Sequence, residues 1–548
     1  MAGNQVMNRH ASTVLKWAMF FSPSIFLILV IVVPVVNLFS IFPGDLNLVS
    51  LFKSGVISKL GMEAIYNSTV QGSVSALFSF IVGFPLGLFL GRYRFRFRRF
   101  FRSLIVLPFF LPSIVVVIAF ISIFGSSSFL GSRIFFLRYI SYGLPGIIAV
   151  NTFFNAPLVA FLTSITIERA DRSLEESAKT LGADQFKIFR TVWGRDGVLA
   201  GLSGALLAFL YSFAGFTAPL IIGGTGNFTI EAWIYFLVKT LGNVNLGVLF
   251  SLFQTVILVI PVMVYSLIWM REKRVTGTQE EANEWTARGK WRGAGKIYMY
   301  AFSLIELVIL GSVLVSSIDL NWGTRISFSG YYTIFGNSIH STFGISPLVP
   351  FLNTVFYGTL TAIISTLLGM MWIVGKRRLR LSPDSVLDSF QFIPLVIPGI
   401  VMAFSVSIMF QGNISPGYIW ILIVLVQTSV AVPIVLRIIS SGFSRIPDSM
   451  WEAPSTLGGN AFFEIELPLA GSALGTALMF GFAISMGEFT ATNFLSTYTF
   501  MPLSVEIYSL QSLKLVSASY AAASVLLLLS FLFFYIIQRI GENFIAIR

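Results

Sequence analysis

Cysteine is absent from the 548 residues, which excludes disulfides and thiolate metal sites and leaves the redox compartment unmarked. Histidine is almost absent: His10 and His340 lie outside every long apolar run, which argues against an imidazole metal centre or a proton relay. Charged residues make up only 11% of the chain. No phosphate-binding loop is present. Gly293-Ala294-Gly295-Lys296 lacks a glycine five positions before Gly295, and Ile297 follows where Ser or Thr would hold magnesium. Any ATP chemistry therefore belongs to another chain. No group of His or Asp shares a helical face, so an embedded metalloenzyme finds no support either.

What the chain has in abundance is oil. Apolar residues reach 55% and mean hydropathy +0.84, far outside the soluble range, so the expected fold class is an all-α membrane protein. Apolar runs of about 20 residues or more fall near 17–42, 65–91, 104–124, 143–167, 197–222 and 247–270. Six more fall near 297–318, 350–375, 386–410, 415–438, 469–494 and 515–538. The first run is too long for a signal-peptide core and has no small-residue cleavage site, so it reads as a retained span. Twelve spans place both termini on one side. If that side is the cytoplasm, the inner loops collect Arg92, Arg94, Arg96, Arg98, Arg99 and Arg102, then Arg271, Lys273 and Arg274, then Lys376, Arg377, Arg378 and Arg380, and the net charge of +12 is explained.

The two halves are a parallel duplication. An offset of 286 carries Asn67, Gly83, Pro108 and Pro112 onto Asn353, Gly369, Pro394 and Pro398. The offset becomes 276 for Pro157, Glu176 and Gly182, which map to Pro433, Glu452 and Gly458. It becomes 273 for Phe216-Thr217 and Tyr235, which map to Phe489-Thr490 and Tyr508. The expected organisation is a first repeat at 1–270, a cytoplasmic linker at 271–296 whose charges and glycines favour mobility, and a second repeat at 297–548. Two repeats of six spans each keep one membrane orientation, and a pathway between them is the natural place for a substrate.

Two polar islands interrupt the oil. Leu174-Glu175-Glu176-Ser177-Ala178-Lys179-Thr180-Leu181-Gly182 is matched by Met450-Trp451-Glu452-Ala453-Pro454-Ser455-Thr456-Leu457-Gly458. In each, a Ser stands three residues before the Glu (Ser173 to Glu176, Ser449 to Glu452), the spacing of a capping box that opens a helix. Small residues and a Gly leave the helix a smooth face that a partner can approach. Both islands fall on the cytoplasmic side.

Glu-(Ala/Ser)-Ala-x-x-x-Gly on that side, two spans before the end of a six-span unit, resembles the permease loop of type I ABC importers. The resemblance covers nearly all of the chain. It implies that Glu176, Ser177, Ala178 and Gly182, with Glu452, Ala453 and Gly458, form two coupling helices that dock on two cytoplasmic ABC ATPase subunits. The family motif continues to Ile-x-Leu-Pro. Gly194 and Arg195 replace its Leu-Pro in the first copy, while Ile465-Glu466-Leu467-Pro468 arrives three residues early in the second. Two permeases fused in one chain, with Thr229-Ile230-Glu231-Ala232-Trp233-Ile234-Tyr235 and Pro502-Leu503-Ser504-Val505-Glu506-Ile507-Tyr508, are similar to the branch that handles ferric iron and thiamine, ahead of sulfate, polyamine and sugar permeases. The resemblance further implies an extracytoplasmic substrate-binding protein, no cofactor in this chain, and ATP with magnesium on the partner.

The remaining features carry two readings each. The tract Arg92–Arg99 alternates basic and aromatic residues; between two spans it reads as an anchor on anionic lipid head groups, with no nucleic-acid role. The proline pairs 108/112 and 394/398 kink packed spans or frame the pathway. Glu306 and Glu488 are acids within apolar runs, either structural partners near a helix end or, facing an interior, substrate contacts. With Phe216, Thr217, Phe489 and Thr490, Glu488 makes up the expected substrate pathway. The competing class is a twelve-span secondary transporter of the facilitator type; the Arg-rich loop after the second span, without Asp, speaks against it.

Overall fold

The computed structural model describes residues 2–41, 55–275, 290–318, 326–336, 348–381, 391–444 and 462–545. Positions 94, 127, 129, 169–171, 225, 392, 393, 395, 396 and 411 are excepted, and 446 and 450 are added. The second polar island from Trp451 on, Glu452, Ala453 and Gly458 included, lies outside these residues, as do His340 and 276–289 of the linker.

Fifteen of the helices are numbered, beginning with α1 Val14–Ser40, α2 Gly55–Arg92, α3 Arg98–Phe110, α4 Ser113–Phe124, α5 Gly143–Glu168 and α6 Arg172–Thr180. Next come α7 Phe189–Phe213, α8 Val244–Val275, α9 Lys290–Ile318, α10 Val349–Arg378 and α11 Gly399–Phe410. The last four are α12 Ile419–Phe443, α13 Phe462–Gly487, α14 Thr490–Leu495 and α15 Val516–Ile545. Among the described residues, 10 helices are long and apolar enough to cross a membrane, while α4 and α11 are apolar but shorter. A helix is the element such sequences must form, since hydrocarbon offers backbone groups no other partner.

Two expected spans, 104–124 and 386–410, are not continuous helices. The first breaks at Leu111-Pro112, both extended, because Pro112 has no N–H to donate and its ring pushes the preceding residue out of the α region. Pro398 stands at the same place immediately before Gly399. Pro112 and Pro398 therefore stand at helix boundaries, while Pro108 lies inside α3. α7 and α13 begin and end seven to nine residues earlier than the expected 197–222 and 469–494, each opening on a π-turn, Phe189–Trp193 and Phe462–Glu466. Phe216, Thr217, Glu488, Phe489 and Thr490 consequently lie just past the ends of these helices and not inside them.

The chain forms two compact units, Pro43–Phe328 and Met1–Phe42 with Ser329–Arg548. These cuts differ from the sequence repeats: α9, which opens the second repeat in sequence, packs in the first of these units, and α1 packs in the other. Within Pro43–Phe328, α2 lies against α5 along a stripe of Gly83, Gly87 and Gly91. A Cβ at these positions would stand 2.3, 2.6 and 2.6 Å from the carbonyl oxygens of Ala156, Ala160 and Ser164; small residues every fourth position permit this approach between spans. α9 joins the same unit, Tyr298 donating to the Val82 carbonyl at 2.8 Å and the Ser312 hydroxyl meeting Ser122 and the Ala119 carbonyl. In the other unit α1 takes the close approach, where a Cβ on Gly375 would meet the Phe20 nitrogen at 2.6 Å.

The repeats show in the hydrogen bonds of each unit. Asn67 donates to the carbonyls of Gly226 and Phe228, and Ser68 accepts from the Ile230 N–H. Asn353 donates to Thr499 and Met501, and Thr354 accepts from Leu503. Every donor and acceptor is shifted by 286 on one side and 273 on the other, the offsets of the sequence duplication.

Candidate functional site

The first island is a short helix, α6, with most of its surface in solvent. Glu176, Ser177, Lys179, Thr180 and Gly182 are exposed, and Ala178 is half-buried. The helix opens at Arg172, so Ser173 lies in its first turn rather than at the capping position expected. Its other end is a Schellman stop: the Gly182 N–H reaches the Lys179 carbonyl at 3.0 Å and the Ala183 N–H that of Ala178 at 3.0 Å. Gly182 has φ +77 and open space where a Cβ would point. The left-handed backbone of the stop thus favours glycine at this position. Leu174 and Leu181, 57% and 87% exposed, share one flank with Ser177, two turns of helix apart.

The residue that holds α6 to the membrane helices is one the sequence pattern did not single out. Glu175 is buried and accepts two hydrogen bonds from Arg92, at 3.1 and 2.8 Å, while Lys179 pairs with it at 3.0 Å. The Arg92 guanidinium stands 4.2 Å from the centroid of the Trp193 ring. One cation at the end of α2 therefore grips α6 through its edge and the start of α7 through its face. Removing one member of a pair so buried costs about 3–5 kcal/mol, because the other charge stays behind. Ala178 and Ala183 pack on the small core of Ile167, Ile188 and Trp193, completing the seat.

The basic tract divides accordingly. Arg92 turns inward, Arg98 and Arg102 pair with Glu168 at 3.2 and 2.8 Å, and Arg96 is exposed beside the Phe97 ring. Arg98, part of the expected lipid anchor, thus joins Arg102 in an internal brace between α3 and the end of α5.

The expected pathway residues separate into two kinds. Phe216 and Phe489 are buried and sit edge-on to Tyr235 and Tyr508, with centroids 5.4 and 5.9 Å apart. Thr217 is buried against the Ser113 hydroxyl at 2.8 Å. Glu488 and Thr490 are half-buried. The Glu488 carboxylate accepts from the N–H groups of Ala491 and Thr492 at 2.8 and 2.9 Å and from the Thr492 hydroxyl at 2.6 Å, which caps α14 and suits the positive end of its dipole. The Thr492 hydroxyl in turn accepts from Gln427, whose carbonyl receives Ser485 at 2.6 Å. A Cβ on Gly399, at the start of α11, would come within 3.9 Å of Glu488. Glu306 is fully buried in α9, and neither of its carboxylate oxygens has a hydrogen bond among the described residues.

Comparison with known proteins agrees with this duplicated arrangement. Residues 83–272 and 365–545 each match the family described as "Binding-protein-dependent transport system inner membrane component". The thiamine transport system permease protein ThiP of Haemophilus influenzae is 26% identical over 452 residues, covering 79% of this chain and 80% of its own length. The putative ferric transport system permease protein FbpB 1 of the same organism is 25% identical over 65% of this chain and 57% of its own. The ferric transport system permease protein FbpB of Actinobacillus pleuropneumoniae is 24% identical over 65% and 52%.

Proposed function

Because the chain belongs to the family of binding-protein-dependent transport system inner membrane components and carries that domain twice, we propose that it couples two cytoplasmic ATPases to one transport pathway. It is an inner-membrane permease of an ABC importer, related to thiamine and ferric-iron permeases, and is not itself an ATPase. The facilitator-type alternative falls with that membership.

The observation that carries the proposal is α6: an exposed helix with Leu174 and Leu181 on one flank, stopped by Gly182, at the end of its unit where the arginines gather. Glu176, Ser177, Ala178 and Gly182 form the first docking surface, and Glu452, Ala453 and Gly458 the second, in line with the sequence repeat. ATP and magnesium are held on the partner ATPases, one per surface. The positive-inside rule puts α6 and both termini in the cytoplasm, and an extracytoplasmic binding protein delivers substrate to the other face. The broken helices α3–α4 and α11, counted as the third and ninth crossings, bring the spans to twelve in repeats 1–270 and 297–548, joined by a linker at 271–296. The residues assigned to the substrate pathway are Phe216 and Thr217 from the first repeat and Glu488, Phe489 and Thr490 from the second. The substrate is thiamine or ferric iron, and the longer match to ThiP favours thiamine.

Reconstitution tests the proposal. Vesicles holding this chain, its ATPase and its binding protein should take up thiamine or ferric iron only with ATP on the cytoplasmic side, and uptake should survive an ionophore that collapses the proton gradient. Uptake driven by a proton gradient alone would refute it.

A further inference from the structure

We infer that an arginine at the end of the second span of each repeat is a strut carrying motion from the coupling segment into the membrane helices, and that the two repeats build it with the acid in different places. The inference rests on α6 being the docking helix proposed above.

In the first repeat the strut is Arg92, held by Glu175 of α6 and covered by Trp193. In the second repeat the arginine is Arg377, near the end of α10 and one residue before Arg378, the 286 counterpart of Arg92. The Arg377 guanidinium lies 3.5 Å from Glu466 and donates to the Ile446 carbonyl. Glu466 is the last residue of the π-turn that opens α13, and Trp193 is the last residue of the π-turn that opens α7. The two are 273 positions apart, so Glu466 stands where Trp193 does. By sequence register alone, Trp451 stands where Glu175 does. In sequence register, acid and aromatic have exchanged positions between the two repeats.

Arg92 joins three bodies, the end of the second span, α6 and the entry of the fifth span, and Arg377 joins the end of α10 to Ile446 and to the entry of α13. Burial is what makes the connection stiff. Arg92 and Glu175 are 9% and 1% exposed, so the pair is neither screened nor free to swing as a surface pair would be. The two-bond fork fixes α6 in the plane of the guanidinium, and the stacked indole fixes the third direction. From Arg92 the motion passes along α2, and through the glycine stripe into α5. Arg92, Glu175 and Trp193, with Arg377 and Glu466, are therefore positioning residues for coupling.

The test uses the full chain, which has no native cysteine. Spin labels at Thr180→Cys on α6 and Leu77→Cys on α2 report whether the two move as one body. In the parent the distance distribution should be narrow and unchanged by ATP in the presence of the ATPase. In Glu175→Gln, and in Arg92→Lys, which keeps the charge but loses the fork, it should broaden. Thiamine or ferric iron carried per ATP hydrolysed should fall roughly tenfold, the factor that one lost charge-assisted hydrogen bond carries, with the ATPase still co-purifying. Glu175→Asp should recover part of both readouts. Parental distances and yields in Glu175→Gln and Arg92→Lys would overturn the strut, as would a fall in transport that tracks loss of bound ATPase. A parent without ATP-dependent uptake would count against the proposed function, while the distance measurement would still decide the strut.

Discussion

The Thr492 hydroxyl donates to Glu488 at 2.6 Å from one helical turn further on and accepts from Gln427 at 2.9 Å, so the acid in this apolar stretch is the end of a side-chain chain and also the cap of α14. The two roles make separable predictions. Glu488→Ala should lower stability by about 0.5–2 kcal/mol, the weight of a lost cap, measured as a shift in thermal unfolding. A wet pathway beside the acid predicts that Glu488→Cys is labelled by a water-soluble thiol reagent, to an extent that changes when ATP is added, and that Glu488→Gln alters uptake with assembly intact. Absence of labelling in both nucleotide states, with normal uptake by Glu488→Gln, would leave only the cap.

Gly182 is constrained by its backbone and not by its neighbours. Gly182→Ala should therefore weaken the helix stop by about 1–2 kcal/mol, the cost of a left-handed L-residue, and Gly182→Asn should recover part of it. Gly182→Trp adds bulk on the docking face and should abolish ATPase co-purification beyond what the alanine change does. Undiminished association of the tryptophan variant would remove α6 from the interface.

Leu174 and Leu181 are large apolar side chains exposed on a polar helix. If an ATPase covers them, each buries a side chain worth about 1.5–3 kcal/mol. Leu181→Ser should weaken association of the ATPase by roughly ten- to hundredfold, read by titrating it against the chain in nanodiscs. An unchanged affinity would mean that this flank faces something else.

The glycine stripe on α2 offers a contrast in stability. A Cβ on Gly87 would stand 2.6 Å from the Ala160 carbonyl oxygen and 2.6 Å from Thr163 Cβ, and two packed backbones have little room to give. Gly87→Ala should cost about 1–3 kcal/mol, seen as a lowered melting temperature, whereas alanine at the open position Gly311 should cost nothing comparable. Equal melting of both variants would argue against the close approach of α2 and α5.

Much was legible from composition and register because those are local or repetitive properties. Hydropathy adds along the chain, so the apolar run at 143–167 was placed within one residue of α5 and the run at 65–91 ends one residue before α2 does, though α2 starts ten residues earlier, and a helix is the answer hydrocarbon allows such runs. Duplication leaves offsets that need no geometry, and Asn67 and Asn353 later proved to make the same bonds. The island at Glu176 was legible because polar residues are rare in such a chain. Hydropathy could not locate the breaks at Leu111-Pro112 or the early ends of α7 and α13, since apolar side chains continue across them. What stops a helix there is a missing donor or a turn in the backbone. Nor could it find Arg92 and Glu175, which are 83 positions apart and in sequence are one more arginine of a basic tract and the neighbour of the motif glutamate. Which of two adjacent acids turns inward is settled by the rotation of α6 against α2 and α7, a property of packed helices and of no single stretch of chain. Sequence by itself determined that this is a duplicated membrane permease with a polar helix between its spans. Only the tertiary structure decided which charges grip that helix, because burial and direction exist once the helices are side by side.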